Sequence, residues 1–190
     1  MIALNDFGLA DDGLRRWSAE EAGKLQERKT GARMYFVRIL IAHAFEALLV
    51  INKIKREPAL LKAVEACDGQ TVASFHKVAA MIGTSEYKMM KRVRNDVSFH
   101  YQDEIVRQAI ESQSKKNPTT PLSLSVGHTP LDWYCEPGDK LVDSAVVRHI
   151  FEVPEGADIR VEVDRIIVRI YEIATELSEF AGYFIRHYAR

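Results

Sequence analysis

Two cysteines, Cys67 and Cys135, are too few and too far apart for a disulfide-built fold or a cysteine zinc site. They are read as reduced, unpaired thiols. No glycine-rich phosphate loop and no Gly-x-Ser-x-Gly elbow occurs, which sets aside the common nucleotide-binding and serine-hydrolase signatures. A surplus of charge is also missing. The formal net charge is −1, so no whole-molecule field draws nucleic acid or an anionic membrane, and such binding needs a local patch. The N-terminus lacks the basic flank and apolar core of a signal peptide. The longest apolar stretch, from Met34 to Ile51, is interrupted by Arg38, His43 and Glu46, which suits a buried helix better than a membrane span. A cytoplasmic protein without a membrane partner is expected.

What remains is an ordinary globular composition, with 47% apolar and 28% charged residues, rich enough in apolar side chains to fold. The 190 residues suit one domain with a real core. Residues 1–30 are polar and mixed in sign. Ser18, followed by Glu20 and Glu21, opens a short helix on this reading, and Gly31 closes the region. Residues 32–56 form a strong helix on which Arg38, Glu46 and His43 share one arc, at about 0°, 80° and 140° for 100° per residue. Pro58 starts a helix over 58–66, which stops near Gly69. Thr71 caps the next, whose apolar face is Val72, Phe75, Val78, Ala79 and Ile82, with Gly83 at its end. Thr84 or Ser85 then caps a helix over about 86–113, lined by Met90, Val93, Val97, Tyr101, Ile105 and Ala109.

Residues 114–157 break the helical pattern. They hold most of the prolines, Pro118, Pro121, Pro130 and Pro154 among them. The segment is read as an insertion or elaborated loop, with an alternating strand at 122–126 and a short helix over 139–151. Trp133, Tyr134, Val146, Val147, Ile150 and Phe151 make it too apolar for a free linker. The closing helix is marked by Val163, Ile166, Ile170, Ile173, Leu177, Phe180 and Phe184, spaced by three and four, with Tyr188 beyond them. At 1.5 Å per residue it runs roughly 40 Å and must pack along another long helix or its copy in a partner chain. The expected fold is a single all-α domain over 1–190, an antiparallel helical bundle whose irregular 114–157 insertion holds at most a short β-element.

Chemistry concentrates in one segment, Lys88-Met-Met-Lys-Arg-Val-Arg-Asn-Asp-Val-Ser-Phe-His-Tyr101. Lys88, Lys91, Arg92 and Arg94 form a basic cluster against one acid, Glu86. Arginine presents a fixed fork of donors suited to phosphate, and histidine exchanges a proton near neutral pH. Cleavage of an RNA backbone requires both. The same residues also suit a solvated helix face with a structural histidine. No His, Cys, Asp or Glu spacing suggests a zinc or di-iron site, since His43-x-x-Glu46 is single and reversed. No cofactor is expected.

The run Arg94-Asn-Asp-Val-Ser-Phe-His100-Tyr101 resembles the motif of the HEPN superfamily, an arginine with a polar neighbour and a histidine four to six residues on. The resemblance implies a helical bundle that pairs into a homodimer, with the two motifs meeting in one composite site. Many members are metal-independent RNases of toxin–antitoxin, phage-defence or RNA-processing systems, so an inhibitor protein or larger assembly is a further implied partner. On this likeness His100 assists attack by the ribose 2′-hydroxyl, and Arg94 holds the phosphate and its developing charge. Asn95 orients the phosphate or the histidine, Tyr101 lines the site, and Lys91 and Arg92 contact RNA. Glu46, His43 and Arg38 support the motif from the long helix. Six positions on a straight helix place Arg94 and His100 about 120° and roughly 9 Å apart, so two-fold pairing or a bend must bring such groups together. The alternative is a non-catalytic helical module that binds RNA or protein, or a subunit of an assembly.

Overall fold

The computed structural model describes residues 2–19, 26–98, 103–116, 119, 124–126, 128–129, 134–154 and 156–189. The fold is an all-α helical bundle. In chain order it runs α1 (Ile2–Ala19), α2 (Gln26–Arg56), α3 (Pro58–Glu65), α4 (Gly69–Ala80) and α5 (Ser85–Val93). A π-helical turn, Arg94–Ser98, then precedes α6 (Asp103–Lys116). The strands β1 (Leu124–Ser125) and β2 (Tyr134–Cys135) pair antiparallel, Leu124 opposite Cys135. Helix α7 (Glu136–Ala145), a second π turn (Val146–Ile150) and α8 (Ile159–Tyr188) complete the chain.

Helix α2 forms the axis of the bundle. It packs on α1, α3, α4, α5, α7 and α8, and its Ile41, Ala42, Ala44 and Leu48 are fully buried. By length and composition Arg28–Arg56 is long and apolar enough to cross a membrane, but 56% of its apolar window is buried inside the fold. Neighbouring helices thus cover about half of that apolar window. Against it lies α8, whose Ile170, Ile173, Leu177 and Phe180 are buried. Each such side chain contributes about 1.5–3 kcal/mol through removal from water. Phe180 stacks at a tilt on Phe75 of α4, with ring centroids 5.5 Å apart.

Helix ends follow their local chemistry. Glu57, restricted by the proline after it, is extended, and Pro58 opens α3. The cap of α4 is Asp68 rather than Thr71. Its carboxylate accepts from the Thr71 backbone N–H at 2.8 Å and from the Thr71 hydroxyl at 2.9 Å. Thr71 itself is fully buried one turn in. Gly83 adopts φ +91°, the left-handed conformation that a side chain opposes, and Thr84 then caps α5 by accepting from the Tyr87 N–H at 3.2 Å.

Two further expectations are corrected. Ser18 does not open a helix; it lies in the last turn of α1, which buries Phe7, Ala10 and Leu14. Gly31 does not end a segment. It sits within α2, where an added Cβ would collide with the Asp139 side chain of α7. The helix expected over 86–113 is α5, the π turn and α6, with residues 99–102 outside the described set. The 114–157 region contributes to the packed interior: Val146 and Ile150 belong to the main core, and Val147 packs with Val153 and Val163.

Candidate functional site

The Arg-Asn pair of the motif stands where α5 changes from α- to π-helical geometry. A π turn bonds i to i+5 in place of i to i+4, and such turns recur at functional sites. This one is anchored from within by Val97, which is buried in the core. It is also anchored from α2: the Ser98 hydroxyl donates to the Arg38 carbonyl oxygen at 3.2 Å. With the turn fixed at both points, Arg94 and Asn95 face a half-exposed surface beside α2.

There the Arg94 guanidinium donates through Nε to Glu46 Oε1 at 2.6 Å and through Nη1 to Asn95 Oδ1 at 3.1 Å. A carboxylate on one edge of the fork fixes its plane. The Arg94 side chain as a whole stays 37% exposed. Asp96, in the same turn, is partly buried. Desolvation raises its pKa above the usual carboxylate range, against the opposing charge of Arg92. His100 and Tyr101 lie outside the described residues.

The three polar residues of the α2 arc have separate partners. Glu46 reaches the motif. His43 Nδ1 instead faces Asp6 Oδ2 of α1 at 3.3 Å. Arg38, only 5% exposed, faces Asp143 of α7, with Nη1 and Oδ1 3.5 Å apart. That separation suits an ion pair, yet neither atom has a hydrogen-bond partner among the described residues. Burial raises the Asp143 pKa to about 7, with Arg38 opposing the rise and Asp139 adding to it. Arg38 meets the motif turn through its backbone carbonyl, which accepts from Ser98.

Of the basic cluster, Lys91 is exposed. Arg92 pairs with Glu152 at 2.8 Å and donates to the His149 carbonyl oxygen. That carbonyl lies near the end of the second π turn, where helical partners run out. Arg92 thus joins the end of α5, just before the first π turn, to the end of the second. Glu152 holds φ +56°, a left-handed conformation uncommon for a non-glycine residue.

Asp143 and Glu152 carried no sequence signal as partners of Arg38 and Arg92, because each contact joins segments far apart in the chain. Among the described residues no group of three or more His, Cys, Asp or Glu side chains could hold a metal ion. Comparison with known protein families, with curated proteins and with solved structures finds no match.

Proposed function

We propose that this chain is a HEPN-like, metal-independent endoribonuclease whose site is shared by two copies, acting in a setting such as toxin–antitoxin control or phage defence. The observation that carries the reading is the Arg94 fork, held by Glu46 and Asn95 on a π turn at a half-exposed surface. A guanidinium held in plane yet partly exposed suits a phosphodiester that gains charge during reaction. In the proposed chemistry His100 takes the proton of a ribose 2′-hydroxyl. The 2′-oxygen bonds to phosphorus, the bond to the 5′-oxygen breaks, and that oxygen leaves with a proton. Arg94 neutralises the phosphate oxygens throughout, and the products carry a 2′,3′-cyclic phosphate and a 5′-hydroxyl.

One observation favours a second reading. Arg94 and Arg92 both face carboxylates, Glu46 and Glu152. Paired arginines attract phosphate less than free ones, which suits a non-catalytic helical module that binds RNA or protein, or a subunit of an assembly. The deciding experiment incubates the purified protein with total RNA in EDTA, beside Arg94→Ala and His100→Ala. Cleavage lost in both folded variants supports the nuclease. Absence of cleavage by the folded dimer moves the reading to the binding module.

A further inference from the structure

We propose that the cleft between α2, α7 and α8 binds an aliphatic anion, a saturated carbon chain ending in a carboxylate. The cleft involves neither Arg94 nor Glu46, so this inference stands apart from the nuclease reading.

Its volume is about 770 Å³, within the range of small-molecule sites. One wall is aliphatic: Met34 and Val37 from α2, Val147 from the second π turn, and Val163 and Ile167 from α8. No aromatic ring among the described residues lines it, so nothing offers a stacking platform for a nucleobase. The chemistry of the wall selects a saturated chain over a nucleotide.

Cations mark where the head group sits. Lys29, Arg33 and Arg148 line the same cleft, against the acids Asp143 and Asp164. Asp143 is answered from behind by Arg38, and Asp164 is exposed at the rim. Arg33 and Arg148 thus bring positive charge into the cleft. Arg33 Nε is buried and makes no hydrogen bond among the described residues, the kind of donor that native interiors rarely leave unused. Arg148 is fixed by donating Nη1 to the Val153 and Pro154 carbonyl oxygens at 2.9 and 2.8 Å. A guanidinium fork matches a carboxylate in shape and charge.

The test is calorimetric titration of the full chain with decanoate below its micelle-forming concentration, with AMP as the nucleotide comparator. Saturable binding with one decanoate per chain is expected, and AMP should not compete. Arg33→Gln should weaken it about tenfold by removing the charge-assisted bond. Ile159→Asp, at a lining position 42% exposed and so tolerant of a polar side chain, should weaken it by setting a charge against the aliphatic chain. Circular dichroism of each variant shows that it is folded, and the second variant keeps the test decisive if the first is not. Absence of saturable binding overturns the proposal. Competition by AMP overturns the aliphatic assignment, and binding indifferent to the substitution in a folded variant overturns its placement.

Discussion

Arg94 Nε lies 2.6 Å from Glu46 Oε1, joining the π turn to the central helix. The contact is local in space and remote in sequence, and both side chains are more than a third exposed. Solvent therefore screens it, and its contribution to stability is at most about 1 kcal/mol. Its value lies in orienting a planar fork. Glu46→Gln is expected to leave the melting temperature nearly unchanged while RNA cleavage falls by about tenfold to a hundredfold, as expected when a positioning group is lost. In Arg94→Lys, which keeps the charge but not the fork, the same Glu46→Gln substitution should cost much less than it does in the original protein, because Glu46 acts by orienting the fork. An equal cost in both backgrounds would assign Glu46 a role of its own.

Asp143 gives a pH dependence with a definite sign. Its folded pKa is about 7, above the ordinary carboxylate value, so between these the folded state binds more protons than the unfolded one. Stability from this group is full below the unfolded value and is lost as pH rises through about 7. The loss is of order 4 kcal/mol at most, from about three units at 1.36 kcal/mol each. Asp143→Asn removes the titration. Urea melts between about pH 5 and 8 should show the wild-type protein losing stability relative to the variant as pH rises. A constant difference between the two across that window would contradict the assignment.

The closing helix, the capped start of α5 and the glycine turn before it were legible, because each rests on neighbours in sequence. Val163 to Phe184 repeat at helical spacing, and Gly83-Thr84 combines a left-handed turn with a hydroxyl cap. Helix α1 was harder to read, since Phe7, Ala10 and Leu14 are a sparse stripe among acids and arginines. Gly31 was misread because the same residue type serves two ends. It terminates helices, and it also admits close packing, here of Asp139 against α2. Within the site, the Arg-Asn pair was visible as a motif and Glu46 as a polar break in an apolar helix. That Glu46 meets Arg94, His43 meets Asp6 and Arg38 meets Asp143 depends on how helices pack, which spacing along one helix does not encode.

The basic cluster divides by what its members already hold. Arg92 is committed to Glu152 and the His149 carbonyl, whereas Lys91 projects into solvent. A phosphate contact contributes about 0.7 to the logarithmic salt dependence of binding to single-stranded RNA. Lys91→Ala should flatten the slope by about that amount, while Arg92→Ala should leave the slope nearly unchanged and lower the melting temperature slightly. Fluorescence anisotropy with a labelled RNA over a range of salt concentrations measures both. A flattened slope for Arg92→Ala alone would show that RNA displaces Glu152 from it.

The proposed composite site makes its own prediction about mixed dimers. Arg94→Ala and His100→Ala should each form inactive homodimers, since every copy of one required group is gone. When the two are mixed and allowed to exchange, random pairing makes roughly half of the dimers mixed. Each mixed dimer keeps one Arg94 and one His100, on different chains. If two motifs form one site, cleavage reappears on mixing and grows at the rate of subunit exchange. If each chain carries a complete and independent site, every chain in the mixture still lacks a required group and cleavage stays absent. Size-exclusion chromatography of both variants, confirming that each still pairs, makes the second outcome a refutation of the shared site rather than a failure of assembly.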